Sequence, residues 1–280
     1  MNQFEQFQAA LDLTKVSDNI FSFRPDSRYF VGNTPHGGYL LALMNKAMVQ
    51  VLPHSSAINS NVYYLDRTEP EPAELHVEVL RTSKGSSMGQ VKLIQNKKIT
   101  CLYSSLCSDF EYMKGYSGLG TPLPPIINAV KQDDFKVMSY ESIGSGSTPA
   151  FIKQLNMSVH PDHAWWDRDI SSDAAEARCS AYLELEGGVA DTFVLSYLAD
   201  ILPPVVQNKF GSLGWIPTLT LTCNIRQLPK TNLLFIDGHA KDISNGYFEQ
   251  DCCIWDMDGN LVATSRQLAK ILKSEDKISS

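Results

Sequence analysis

Hydrophobic positions between Gly32 and Pro53 (GNTPHGGYLLALMNKAMVQVLP) recur at steps of three and four, at Leu40, Leu43, Met44, Ala47, Met48 and Val51. That is the period of a helix with a buried stripe. Ala42 and Val49 fall between these positions, so the helix reads as apolar nearly all round, central, and closed by Pro53. The turn before it, Thr34-Pro35-His36-Gly37-Gly38, places two residues without side chains at the helix N-terminus. Free N–H groups and the positive end of the helix dipole meet there, which suits a developing negative charge. The same pair would also serve as a tight turn that lets the helix into the core. Upstream, Phe4–Leu13 reads as a short amphipathic helix, and Ile20–Phe30 as strand, turn and strand. Downstream, the polar run Ser55–Ser60 reads as a loop, and the period then changes to two. Asn61–Arg67, Ala73–Ser83, Ser87–Gln95 and Ile99–Asp109 read as a meander of strands, separated by turns at Glu69–Pro72, Lys84-Gly85 and Asn96–Lys98.

The second half repeats the plan. Ile152–Met157 and Arg178–Leu185 read as strands around a polar loop, His160–Ser172, and Asp191–Leu202 reads as a helix that again ends in proline. Thr218–Arg226, Leu233–Asp242, Gly246–Trp255 and Leu261–Leu272 follow as strands, with a hairpin turn at Asp256–Asn260. LLALMNKAMVQVLP corresponds to FVLSYLADILPP, and the strands after each helix correspond in order, so internal duplication is the economical reading. The intervening stretch is rich in glycine, serine and proline and ends in the flexible-linker sequence Gly144–Ser147. The expected division is a first unit over 1–111, a linker over 112–150 and a second unit over 151–280. A long apolar helix followed by an antiparallel meander, twice over, predicts an α+β protein in which curved sheet wraps each central helix.

Composition narrows the chemistry. The 280 residues carry a formal net charge of -7, which argues against nucleic acid or an anionic membrane as the main partner. The six cysteines follow no metal-ligand or disulfide spacing, and most sit in apolar runs, as expected of free thiols in a reducing compartment. No apolar run reaches the ~20 residues of a membrane span, and the N-terminus lacks the pattern of a signal peptide. A cytoplasmic protein without metal or redox cofactor is the expectation.

TPHGGYLLALM, DTFVLSYLADILPP, WIPTLTLTCNIRQLP and IWDMDGNLVATSRQLAKIL together resemble motifs of the type II acyl-CoA thioesterases, the double hot-dog family. The resemblance spans about Ser22 to Leu272. It implies a double hot-dog fold, an acyl-CoA substrate, and hydrolysis by a water bound to an Asp, a Thr and a Gln. By motif these are Asp200, Thr218 and Gln267, with Thr220 an alternative to Thr218 because it lies two residues on in the same strand. It also implies that Gly38 and Tyr39 supply an oxyanion donor across the junction between the halves, and it leaves room for a homodimer. Thr220-Leu221 stand where many members carry Asp-His, a departure that bears on substrate range. His36 either orders the turn and lines the acyl pocket, or serves as the base of a hydratase or dehydratase on the same fold. A non-catalytic acyl-CoA-binding module is the third reading.

Overall fold

In the computed structural model, residues 1–143, 148–167 and 175–272 are described. The expected linker Gly144–Ser147 and the end of the expected loop, residues 168–172, lie outside them. Helix α1 (Gln3–Ala10) begins with Asn2 accepting from the Glu5 N–H while the Glu5 carboxylate accepts from the Asn2 N–H. Strands β1 (Thr14–Ser17), β2 (Ile20–Phe23), β3 (Phe30–Val31) and β4 (Thr34–Pro35) lead into α2 (Gly37–Val51). The meander β5 (Ser56–Tyr64), β6 (Ala73–Thr82), β7 (Ser87–Gln95) and β8 (Lys98–Ser108) follows. The bridge contributes β9 (Lys136–Val137) and α3 (Tyr140–Ile143). Then come β10 (Asn156–Val159), β11 (Arg178–Glu184), α4 (Thr192–Leu198), α5 (Gln207–Phe210), β12 (Thr218–Ile225), β13 (Leu234–His239), β14 (Tyr247–Asp256) and β15 (Leu261–Lys270).

Thirteen strands form one antiparallel sheet in the order β1-β2-β6-β7-β8-β5-β12-β15-β14-β13-β11-β10-β9. The order is a mirror about the β5–β12 seam, where Leu221 pairs with Val62 and Thr222 with Asn61. On each side the strand that opens the meander after the central helix lies at the seam, the last strand beside it, and the first strand furthest out. The repeated order of elements is therefore also a repeated order in space. Along the seam, Asn59 donates to Asn224 at 2.9 Å, and Thr222 donates to Asn61 at 2.8 Å.

The core fills the concave side of the sheet. Leu41, Ala42, Leu43, Met44, Ala47 and Met48 of α2 are all completely buried, together with Val194, Leu195 and Tyr197 of α4, so the two helices pack against each other as well as the sheet. Gly89 keeps β7 clear of α2: a Cβ there would lie 2.7 Å from the Met48 sulfur. One polar group crosses this interior. Asn45 of α2, wholly buried, donates to Ser196 Oγ of α4 at 2.5 Å and accepts from the hydroxyls of Tyr103 and Ser60. Replacing Asn45 by Leu removes all three of these bonds, leaving Ser60 and Tyr103 bonded to each other and Ser196 to the Thr192 carbonyl, and a buried hydrogen bond contributes about 0.5–1.5 kcal/mol. Asn45→Leu is expected to lower unfolding stability by roughly 2–4 kcal/mol in a denaturant titration.

Three expectations change. Helix α4 ends at Leu198 and does not continue to Leu202. Asp200 and Ile201 bond back to Tyr197 and Leu198, three residues earlier, and Pro203-Pro204 forbid further helix. The second half thus has a short central helix where a long one was expected. The polar run Ser56–Ser60 belongs to β5 and is not a loop; its polarity is explained by Ser60 facing Asn45 and Asn59 facing the seam. Residues Ala150–Gln154 form a 3-10 turn, so the expected strand from Ile152 begins only at Asn156.

Helix α1 lies against the start of the second half. Asn2 and Phe4 cover Gly187 and Gly188 so closely that a Cβ on either glycine would come within 2.1 and 2.7 Å of them. Gln8 donates at 2.7 Å to Asp191, the carboxylate that caps α4. Among the described residues no helix is long and apolar enough to cross a membrane.

Candidate active site

The N-terminus of α2 meets the turn that ends α4, and a cavity of about 950 Å3 opens beside that contact. Gly37 and Gly38 make the approach possible. A Cβ on Gly38 would sit 2.3 Å from the Tyr197 carbonyl oxygen, and one on Gly37 would sit 2.6 Å from Asp200 Oδ2. The glycine pair therefore serves close approach between the halves.

Into this contact the turn after α4 delivers Asp200, with its side chain only 9% exposed. Its Oδ2 accepts the Gly38 N–H at 3.0 Å, at the positive end of the α2 dipole. Among the described residues Oδ1 has no hydrogen-bond partner. Burial pushes the carboxyl up to about 7, and the Gly38 N–H restrains the rise. Tyr64, at the end of β5, donates to the Gly37 carbonyl at 2.8 Å and lines the same cavity. Burial raises its phenol well above the usual value, with the nearby Asp200 charge adding to the effect.

His36 precedes α2, but its side chain does not cap that helix. Its Nε2–H donates to the main-chain oxygen of Asp200 at 3.0 Å and lies 3.5 Å from Asp200 Oδ2. Burial pulls the imidazole down to about 4, so it is neutral near pH 7. Nδ1 is enclosed with no hydrogen-bond partner among the described residues, and the ring packs on Phe151 at 4.5 Å between centroids.

On another wall of the cavity, Thr218 Oγ1 donates to Gln267 Oε1 at 2.5 Å. Among the described residues this leaves the Gln267 amide nitrogen without a partner. The β12–β15 register slips between Thr218 and Thr220. Simple alternation would put these two threonines on one face; the bulge separates them, and Thr218 lines the cavity while Thr220 does not.

Asp200, Thr218, Gln267 and His36 thus surround one cavity, and Gly38 lies at the contact beside it, with Tyr39 next along the helix. The Gly38 N–H already serves the Asp200 carboxylate. Tyr39 is fully buried behind the helix, its hydroxyl donating to the Ala10 carbonyl and its ring stacked on Tyr29. Tyr64, Phe151, Trp165 and Trp166, which all line the cavity, were not singled out for it from the sequence. Only for Tyr64 was there a local signal, since alternation from Val62 puts it on the inner face. Outside the cavity, His160 and His163 are turned inward, accepting the N–H groups of Asp162 and Ser180. All six cysteines are free thiols. Among the described residues no cluster of His, Cys, Asp and Glu could hold a metal ion.

The fold itself is shared with solved structures. A protein assigned as a thioesterase II from Thermobifida fusca YX superposes with a TM-score of 0.83 at 23% identity, covering 98% of this chain and 100% of that one. A hot-dog-fold protein of unknown function from Alicyclobacillus acidocaldarius gives 0.79 at 18% identity, covering 96% and 98%. An uncharacterized protein of Mycobacterium tuberculosis H37Rv, Rv0499, is 21% identical over 268 residues, 90% of this chain and 91% of its own. The architecture is of the hot-dog class. Residues 25–107 match the acyl-CoA thioesterase N-terminal domain and residues 130–271 the acyl-CoA thioesterase C-terminal domain. The chain belongs to the acyl-CoA thioesterase family.

Proposed function

We propose that this thioesterase is a double hot-dog enzyme that hydrolyses acyl-CoA at the junction of its halves, with Asp200 as the general base. The observation that carries the reading is the buried Asp200 carboxylate, one oxygen held by the α2 N-terminus and the other unengaged, in the same cavity as the Thr218–Gln267 pair. The mirrored strand order supports the double hot-dog description. In the forward step Asp200 takes a proton from water, and the oxygen of that water bonds to the thioester carbon. The carbonyl pair moves onto oxygen to give a tetrahedral oxyanion. When the pair returns, the C–S bond breaks and the proton on Asp200 passes to the departing CoA sulfur. A carboxyl poised near pH 7 can both take and return that proton.

Thr218 and Gln267 orient the water or the oxyanion. The threonine hydroxyl fixes the Gln267 carbonyl and so turns the amide N–H groups outward as donors. Thr218→Val frees that amide to rotate and is expected to lower kcat by about 10- to 100-fold. A wild-type kcat for this variant would remove the pair from the mechanism.

Thiol release from a panel of acyl-CoAs, followed with a thiol-reactive dye, tests the activity. Saturable binding without thiol release would favour the non-catalytic reading, and a change in enoyl absorbance the hydratase. The hydratase reading requires a His36 nitrogen that reaches substrate, yet Nε2 is engaged by Asp200 and Nδ1 is enclosed.

A further inference from the structure

The proposed mechanism gives His36 no proton to carry, yet its side-chain hydrogen bond goes to the residue that does carry one. Its ring, 6% exposed, is held between Phe151 and Tyr197, and its Nε2–H reaches from the first half to a main-chain oxygen of the second. That oxygen belongs to Asp200, two residues beyond the end of α4. The last carbonyls of a helix have no partner within it, and here Pro203 and Pro204 supply no N–H groups to help. The turn carrying the base is therefore anchored from outside. We infer that His36 is a positioning residue, whose neutral imidazole fixes the backbone of Asp200 and so aims its carboxylate into the cavity. The inference rests on the reading of Asp200 as the base.

A glutamine in place of His36 can bring an amide N–H to the position of Nε2, whereas an alanine cannot. The groups facing Asp200 in this corner are the Gly38 N–H, His36, the phenols of Tyr64 and Tyr197, and the charged Asp66 and Arg67 that line the same cavity. His36→Ala leaves these in place but removes the anchor and admits water beside the carboxylate. It is expected to lower kcat by about 10- to 100-fold, with KM within about threefold of wild type. The rise of activity with pH should also move to lower pH, because the carboxylate is less desolvated. His36→Gln is expected to recover kcat to within about threefold and restore the wild-type pH profile.

The positioning role is overturned if His36→Ala keeps the wild-type kcat and pH profile. It is also overturned if His36→Gln, shown to be folded by its melting curve, turns over as slowly as Asp200→Asn. Should His36→Ala not fold, His36→Gln decides alone. Turnover by Asp200→Asn would instead overturn the reading of the base, whatever the His36 variants do.

Discussion

Asp200→Asn is expected to abolish turnover and, at the same time, to make the protein more stable above pH 7. The kinetic half follows from removing the base: an amide cannot take a proton from water, and general-base catalysis contributes about 10²- to 10⁴-fold. The stability half follows from where the carboxyl is buried. Its pKa rises from the usual 3.8 to about 7 in the folded protein. Between those values the folded state holds a proton that the unfolded chain has released. This group's contribution to stability is therefore fully present below about pH 4 and is lost as pH rises through about 7. An asparagine does not titrate, and its Oδ1 can still accept the Gly38 N–H. The variant should match wild type near pH 4 and exceed it above pH 7, by up to about 4 kcal/mol.

His36 contributes with the opposite sign. Its pKa falls from 6.5 to about 4, so stability rises with pH across that window. The term is common to both proteins and drops out of the difference. Melting temperatures of the two proteins from pH 4 to 9, with kcat/KM alongside, provide the check. A constant difference across that range would show that Asp200 is not the buried titrating group.

Gly38→Ala carries the second large effect. The added methyl would lie 2.3 Å from the Tyr197 carbonyl oxygen and 3.1 Å from Asp200 Cβ. Both neighbours belong to the second half, and the first is backbone, so relief requires α2 and the end of α4 to separate. Overpacking of this kind costs about 1–3 kcal/mol. The larger consequence is geometric: the Gly38 N–H retreats from Asp200, and a displacement of about 1 Å at a reacting group can cost about 10²-fold in rate. Gly85→Ala is the matched control, because nothing lies within 4 Å of its Cβ position. The expectation is a folded, slow Gly38→Ala beside a Gly85→Ala with wild-type Tm and kcat. Equal activity in the two variants would mean that the close approach at Gly38 has no catalytic consequence.

The elements that declare themselves in the chain are those governed by one face of contact. The apolar run of α2 and the strand alternation of both meanders are visible because the helix is enclosed by a continuous core and each strand buries one face against it. Where a segment answers to two partners, local pattern fails. The polar start of β5 reads as a loop because Ser60 and Asn59 satisfy groups in α2 and β12. Helix α4 reads as long because the apolar period runs on through Ile201 and Leu202, both buried, although the backbone has already tightened at Asp200. The candidate site divides the same way. Motif resemblance named Asp200, Thr218 and Gln267, but the partner of Gly38 lies 162 residues away and left no local trace. Neither did the bulge that separates Thr218 from Thr220.

The position of α1 bears on the symmetry of the whole molecule. When the two Leu-Pro helix closings, Leu52-Pro53 and Leu202-Pro203, are aligned, Gly37-Gly38 falls opposite Gly187-Gly188, and Asp200 falls opposite the exposed Gln50. At one glycine pair a carboxylate from the other half approaches; at its twin, Asn2 and Phe4 occupy the space. The N-terminal helix acts as a stopper, and the molecule is one-sided: at one glycine pair the α2 N-terminus receives the Asp200 carboxylate, and at the other α1 fills the corresponding space.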